Sequence, residues 1–98
     1  MLTLRFATTI IHWRGPSPFF YAPIPSEHGE AIRRIAKIAS YGWGVIPVRA
    51  TIKGAEFTTS LFPKDGTYLL PLKAAVRKQI NVTVDDRIDV EMVIERAR

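Results

Sequence analysis

Residues 43–72 constrain the fold most, because they alternate like paired strands and contain their own turn signals. Over residues 48–53, apolar side chains alternate with polar ones, which is the pattern of a strand with one buried face. Residues 54–55 can turn the chain, 57–62 return with β-branched and aromatic side chains, and 63–66 can turn it again. The stretch predicts a β-meander, and a meander requires further strands or a helix over its apolar face.

The flanking segments supply those strands. Residues 3–13 form a long β-prone run, which Gly15 and two neighbouring prolines then break. Residues 19–25 resume the β pattern, although their prolines place one end at a sheet edge or a bulge. Near the C-terminus, residues 88–94 alternate apolar and mostly acidic side chains, which predicts a strand with one wet face.

Two helices are predicted between these strands. Ser26 is a candidate N-cap for the first, and Pro71 fits the first turn of the second. The apolar stripe of the first helix consists of Ala31, Ile32, Ile35, Ile38 and Ala39. That of the second consists of Leu72, Ala75, Val76 and Ile80. Asn81 tolerates the left-handed conformation that can end this second helix, and residues 85–86 are expected to turn the chain into the last strand.

About six strands, two short helices and closely spaced turns predict a mainly β fold. We expect a small closed or nearly closed barrel capped by the helices, because closure removes exposed sheet edges. The 98 residues suit one β-barrel domain over 1–98. The chain contains no cysteine, which excludes disulfides and thiolate sites. It also contains no signal-peptide pattern and no apolar run near the ~20 residues that span a bilayer, so we expect a cytoplasmic protein.

The formal charge of +5 favours an anionic partner, since such a charge attracts polyanions at low salt. Basic residues occupy the outer sides of both predicted helices. They are Arg33, Arg34, Lys37, Lys73, Arg77 and Lys78. If the two sets lie on one side of the molecule, they predict an anion-binding surface for nucleic acid or another polyanion. The same pattern is also typical of helix faces that are simply solvated.

Aromatic residues suggest a second hypothesis, a small-ligand pocket at a barrel mouth. Its lining would be Trp13, Tyr21, Tyr41 and Trp43, with His12 in a modest catalytic role. The simpler expectation is that these rings fill the barrel and its ends and that His12 packs within its strand. A third hypothesis is a protein-interaction domain, which a contiguous exposed apolar patch would favour. We expect a monomer or a weak homo-oligomer.

Catalytic and metal chemistry have little support in the sequence. His12 and His28 are the only imidazoles and do not have the spacing of metal ligands. Ser60 lacks the glycine-flanked elbow of serine hydrolases, and no phosphate-cradling glycine loop is present. We therefore expect a non-enzymatic protein with no cofactor and no metal.

A set of motifs spread along the chain resembles a known family. The motifs are Tyr41-Gly42-Trp43-Gly44, Pro47-Val48, Gly54, Phe57-Thr58-Thr59-Ser60-Leu61, Gly66-Thr67-Tyr68-Leu69-Leu70-Pro71-Leu72 and Arg77-Lys78. They resemble a prokaryotic domain-of-unknown-function family of small β-barrels, found alone or fused ahead of a YdeI/OmdD-associated segment. The resemblance implies a barrel of about six strands with helical caps and implies no reaction. Such proteins usually carry glycine and aspartate in the last turn, where Asp85 and Asp86 of this chain would disfavour a positive φ.

The last third of the chain is also similar to the swapped-hairpin transcription regulators of bacteria. It shares with them a helix that carries Leu-Pro and Arg, then an acidic turn, then a Val/Ile strand. Those regulators are much shorter and complete their barrel by dimerising, whereas this chain has enough strands to close its own. The similarity is an analogy of structure and implies no function.

Overall fold

The computed structural model describes residues 1–13, 19–39 and 46–95. Its strands are β1 (Leu2–Thr9), β2 (Ile11–Trp13), β3 (Phe19–Pro23), β4 (Ile46–Ile52), β5 (Ala55–Lys64), β6 (Thr67–Pro71) and β7 (Arg87–Ile94). A 3-10 turn (Ser26–His28) leads into helix α1 (Gly29–Ala39), and helix α2 (Ala74–Ile80) lies between β6 and β7. The described part is mainly β with two short helices, as the sequence predicts.

The seven strands form one curled sheet, a half-barrel, in the order β1-β7-β4-β5-β6-β3-β2. All of its strand pairs are antiparallel. β5 joins the two halves of the sheet, since its first part pairs with β4 and its end pairs with β6. Alternate side chains therefore point either into the concave core or outwards. The core is continuous across both halves and includes Phe6, Ile32, Ala50, Leu70 and Met92.

The predicted single strand over residues 3–13 is divided at Ile10. β1 pairs with β7, whereas β2 pairs with β3, so the chain changes partners within one residue. Ile10 is fully buried; its N–H donates to the Asp86 carbonyl at 2.9 Å, and its carbonyl accepts from the Asp85 N–H at 2.8 Å. These two bonds hold a corner between the strands, which is why the sheet has seven strands where about six are expected.

The start of the first helix differs from the prediction. Ser26 is not the N-cap of an α-helix; it opens the 3-10 turn, which Pro25 precedes and which has no side-chain cap hydrogen bond. The apolar stripe nevertheless faces the core, because Ile32 is fully buried and Ile35 packs partly against the core. The side chains of residues 37–39 lie outside the described part of the chain.

The second helix also begins later than predicted. Pro71 is the last residue of β6 and pairs with β3 rather than opening the helix. The Leu72 N–H then donates to a β3 carbonyl at 2.8 Å and extends this pairing, so α2 begins only after Lys73, its N-cap. Ile80 is buried and Val76 packs partly against the core, as predicted, whereas Ala75 in the first turn is exposed.

The two meander turns are two-residue hairpin loops. Lys53 and Gly54 have φ of 51° and 78°, and Asp65 and Gly66 have φ of 49° and 81°. Positive φ at both positions is the type I′ geometry that matches the twist of the strands. The first loop therefore lies one residue earlier than the predicted 54–55, and the second lies within the predicted 63–66.

The turn before β7 combines a confirmed prediction with a correction. Asn81 ends α2 in the left-handed conformation, with φ of 56°, as predicted. Asp85 also has a positive φ, 71°, so the aspartate takes a conformation that glycine would adopt more easily. The Asp86 carboxylate accepts a hydrogen bond from the Thr83 N–H at 2.8 Å, which fixes the loop locally.

β7 confirms the alternation predicted for the last strand. Its buried residues are Ile88, Val90, Met92 and Ile94. Asp89 lies exposed between them, and Glu91 is half-buried and paired with Arg5 of β1. In the ranges that the structure describes, no helix is long and apolar enough to cross a membrane.

Candidate functional site

The outer face of β1, β7 and β4 is charged and internally paired. Arg5 and Glu91 are joined at 2.8 Å across β1 and β7. Arg49 of β4 and Glu95, just beyond β7, are joined at 3.3 Å. An open groove on this side is lined by residues of both charge signs, Arg5 and Lys53 as well as Asp89 and Glu91. Since opposite charges balance there, this face is typical of a solvated sheet surface.

The outer face of β2, β3, β6 and the end of β5 is apolar instead. The register pairs Ile11 with Tyr21 and Trp13 with Phe19, and it pairs Leu69 with Phe62. Paired residues in antiparallel strands share a face, and Ala22 and Leu70, on the opposite face, are fully buried in the core. We call the outer surface the aromatic face. It consists of Ile11, Trp13, Phe19, Tyr21, Phe62 and Leu69.

The aromatic face combines exposed and covered apolar side chains. Ile11, Trp13 and Phe62 are 37%, 42% and 44% exposed. Leu69 is only 7% exposed although it does not belong to the core cluster, so neighbouring side chains of the face must cover it. Contiguous exposed apolar surface is unusual on a soluble monomer and marks an interaction site more often than an ordinary surface.

Lys64 brings a positive charge onto this surface. Its ammonium nitrogen lies 3.7 Å from the centroid of the Trp13 ring, which is close enough for a cation–π interaction. Lys64 is at the end of β5 and Trp13 at the end of β2, and the strand pairings alone do not account for this contact. Asp65 is the nearest carboxylate, with Oδ2 3.9 Å from the Lys64 nitrogen.

The predicted basic residues of α1 lie beside the β5–β6 turn. Arg33 is exposed and donates from Nη1 to the Gly66 carbonyl at 3.0 Å. It lines a surface notch together with Lys64 and the turn residues, so Arg33 adjoins the edge of the aromatic face. Arg34 is paired with Glu30 at 3.1 Å. Lys37 lies on α1, and its side chain is outside the described part.

The predicted basic residues of α2 lie elsewhere. Arg77 donates from Nε to the Leu72 carbonyl at 3.1 Å, and its Cζ lies 3.7 Å from the centroid of the Phe20 ring. Lys73 and Lys78 are exposed. The two basic sets thus contact opposite ends of β6: the Gly66 and Leu72 carbonyls are about 20 Å apart along an extended strand. The basic residues do not form one compact patch.

Of the predicted pocket residues that the structure describes, His12 lies on a different face from Trp13 and Tyr21. Trp13 and Tyr21 are on the aromatic face, whereas His12 pairs with Phe20 on the inner face. His12 is exposed rather than packed within its strand, because β2 is a short edge strand at the open end of the sheet. Tyr41 and Trp43 lie outside the described residues. Trp13, Phe19 and Tyr21 therefore do not fill the barrel as expected.

Sequence reasoning missed two residues of the site, Phe62 and Lys64. The alternation over β5 indicates that they share a side, but the sequence does not show that β6 and β3 continue the same face as far as Trp13. The register places Phe62 beside Leu69 on this face, whereas the contact between Lys64 and Trp13 is seen only in the side-chain geometry.

The described residues contain no group of three or more His, Asp or Glu side chains that could hold a metal ion. Their buried side-chain nitrogens and oxygens all have hydrogen-bond partners. The candidate site therefore rests on rings and cations at the surface rather than on a buried polar cluster. Such a surface can stack planar groups and neutralise anions.

Comparison with known proteins gives a family without an assigned activity. No curated protein matches the chain. Residues 6–92 match the family described as a domain of unknown function, DUF1905. This match covers all seven strands at least in part and both helices, and it confirms the resemblance seen in the sequence. The chain belongs to the DUF1905 family of domains of unknown function.

Proposed function

We propose that this protein binds single-stranded nucleic acid across its aromatic face. The observation that carries the proposal is the Lys64 ammonium held 3.7 Å over the Trp13 ring on a surface that also presents Phe19, Tyr21 and Phe62. The Trp13 ring can stack on a base, and the Lys64 ammonium beside it can bind the phosphate of the same nucleotide. Proteins that bind single strands combine aromatic stacking platforms with positive charge in this way.

The single-stranded form is preferred because only unpaired bases can lie flat on protein rings. A duplex keeps its bases stacked on each other and offers phosphates and base edges instead. The aromatic face therefore matches a splayed single strand better than a groove.

The basic residues extend the surface at both ends of β6. Arg33 and Lys64 lie at the β5–β6 turn, while Lys73 follows the other end of the strand. A separation of about 20 Å suits a backbone that runs along the face with phosphates at each end. A site of this length corresponds to about four nucleotides, the short end of the range for small single-strand-binding barrels.

Fluorescence anisotropy with labelled single-stranded DNA, single-stranded RNA and duplex DNA tests the proposal. The wild-type protein should bind the single strands more tightly than the duplex. With three basic side chains near phosphates, log K should fall with log salt at a slope of about −2.

Two variants separate the parts played by the ring and by the charge. Trp13→Ala should weaken binding by about 1–3 kcal/mol with little change of slope, because it removes stacking alone. Lys64→Ala should reduce the slope by about 0.7, the effect of one phosphate contact.

The matched control is Arg49→Ala, which also removes one positive charge but lies on the charged outer face. Its affinity and salt slope should equal those of the wild type. Absence of single-strand binding at low salt, or an equal loss in the Arg49 variant, would overturn the proposal. The circular dichroism spectrum and thermal midpoint of each variant must first match the wild type, so that lost binding is not lost folding.

A protein-interaction role is the second candidate, and the exposure of Ile11 and Phe62 favours it. Both side chains present apolar surface, no cation stacks on the Phe62 ring among the described residues, and such groups often anchor protein partners. If an Ile11→Ser, Phe62→Ser double variant bound nucleic acid as tightly as the wild type, those two side chains would belong to a protein-interaction surface and not to the nucleic-acid site.

We also infer that the curled sheet is nearly closed and that the protein works as a non-enzymatic cytoplasmic binding domain. Two observations support closure: β1 and β2 are consecutive in the chain although they are the two ends of the sheet order, and the Thr8 hydroxyl donates to the Pro23 carbonyl of β3 at 2.6 Å. Closure would leave the aromatic face as an outer surface, free for a ligand.

A further inference from the structure

Strand β2 leaves one edge of the sheet open. It is the last strand in the sheet order and pairs only with β3. All three of its residues, Ile11, His12 and Trp13, are exposed. Natural proteins protect such edges with charged side chains or proline, and β2 contains no lysine, arginine, acidic residue or proline. Its edge is therefore able to pair with another strand.

The main-chain groups of His12 point away from β3, towards this open edge. The Leu72 N–H donates to the Phe20 carbonyl at 2.8 Å, so the main-chain groups of Phe20 face β6. His12 lies opposite Phe20 in the β2–β3 register, and in an antiparallel ladder such a pair exchanges no hydrogen bond. Outside the β2–β3 pair, no main-chain hydrogen bond between described residues uses the His12 N–H or C=O.

Ile10 determines where an added strand can pair. Its main-chain groups point to the same edge, two residues before His12, and are already bonded to residues 85–86. An incoming strand therefore finds the first open pair of groups at His12. A second copy of β2 fits this position symmetrically. Each His12 N–H would donate to the other His12 carbonyl, and Ile11 of each copy would lie opposite Trp13 of the other.

We propose that two copies of this chain form a dimer through their β2 strands, antiparallel and centred on His12. The side chains support this register, because Ile11 and Trp13 are 37% and 42% exposed and a β-branched residue opposite an aromatic one is a favourable cross-strand pair. Three residues from each copy bury far less than the roughly 1,200 Å² of stable complexes. The dimer is therefore weak, and it does not depend on the proposed nucleic-acid binding.

Sedimentation velocity of the full chain without nucleic acid, up to about 1 mM, tests the proposal at the concentrations where weak complexes form. His12→Pro removes the N–H that the dimer uses but no hydrogen bond of the β2–β3 pair, so it should weaken dimerisation about tenfold or more. His12→Ala keeps the N–H and should match the wild type within about twofold. A wild-type protein that stays monomeric throughout, or equal dimerisation of the proline variant, would overturn the proposal.

A second variant decides the matter if His12→Pro unfolds. Ile11→Lys places a charge at the centre of the proposed interface and should also prevent dimerisation, since lysine protects edge strands. Thr58→Lys is its matched control, because it adds the same charge at an exposed position of β5 and should dimerise as the wild type does. Equal dimerisation of the two lysine variants would place the interface elsewhere and refute the proposal.

Single cysteines test the register, since the chain contains none of its own. The Cα atoms of the two His12 residues would be about 5.5 Å apart, within the range of a disulfide, so His12→Cys should form a covalent dimer on mild oxidation. The two Ile11 positions would be offset by two residues and about 8 Å apart, so Ile11→Cys should cross-link much more slowly. Faster cross-linking of the Ile11 variant would contradict pairing centred on His12.

Discussion

Gly54 shows how backbone conformation alone can determine the residue type at a turn. Its φ is 78°, and a Cβ added there would meet no atom within 4 Å. Gly54→Ala should therefore cost only the left-handed backbone penalty, about 1 kcal/mol of the free energy of unfolding. Urea denaturation of the two proteins measures the difference.

The other hairpin supplies the control. Asp65 has φ of 49° without being glycine, so Asp65→Gly relieves local strain while giving the unfolded chain more freedom. These effects oppose each other, and the free energy of unfolding should change by less than about 0.5 kcal/mol. If Asp65→Gly destabilised the protein as much as Gly54→Ala, the losses could not be due to positive φ.

Residue-level predictions succeed where chemistry acts locally. Asn81 was predicted to take a left-handed conformation because its short polar side chain tolerates one, and its φ of 56° confirms this. The prediction that His12 is packed is wrong, because burial depends on what lies beyond the edge strand. Alternation assigns His12 to the same face of the strand as Ile10. It does not show that the core residues that bury Ile10 stop short of His12.

Ile10 and Ile11 offer a test of the corner between β1 and β2. Ile10 is 0% exposed and Ile11 is 37% exposed, although they are neighbours of the same type. Ile10→Ala should lower the free energy of unfolding by about 3 kcal/mol through lost burial and a residual cavity. Ile11→Ala should cost less than about 1 kcal/mol, since much of its side chain is already in water.

Chemical denaturation with both variants measures this ratio directly. Similar losses would mean that the two side chains are equally buried, contrary to the structure. A large loss confined to Ile10 would support its burial at the corner between β1 and β2.

At the scale of whole elements, sequence patterns predict where a strand lies better than they predict which of its sides faces the core. β7 was predicted almost residue by residue, because acidic side chains mark its wet side unambiguously. The run Phe19-Phe20-Tyr21 has apolar residues on both sides, so alternation alone could not show that Phe20 points inwards while its neighbours form the aromatic face. The limits of α2 were missed for a related reason: proline suits both a helix start and the end of β6.

At the scale of the whole molecule, the candidate site depends on long-range register. Trp13, Tyr21 and Phe62 are far apart in the chain, and three successive strand pairings bring them onto one face. The net charge shows that basic residues are in excess but not how they are arranged. The basic sets of α1 and α2 contact opposite ends of β6, which no count of lysines and arginines can reveal.

The curl of the sheet is held in part by one side-chain hydrogen bond, and removing it tests the near-closure we infer. The Thr8 hydroxyl donates to the Pro23 carbonyl at 2.6 Å and joins β1 to β3, which are not neighbours in the sheet order. Thr8→Val keeps the side-chain shape but leaves a part-buried carbonyl without its donor. We expect a loss of about 1–2 kcal/mol in the free energy of unfolding.

Thr9→Val is the matched control, because Thr9 is half-buried and its hydroxyl only accepts a 3.3 Å bond from Arg87; it should cost less than about 0.5 kcal/mol. Amide hydrogen exchange adds the spatial readout. If the Thr8 bond holds β1 against β3, exchange in the Thr8 variant should accelerate at Ala22 and Ile24 more than at β7, since local opening begins where the contact is lost. Uniform acceleration across both halves of the sheet would contradict closure through this bond and leave the half-barrel held by its main-chain pairing alone.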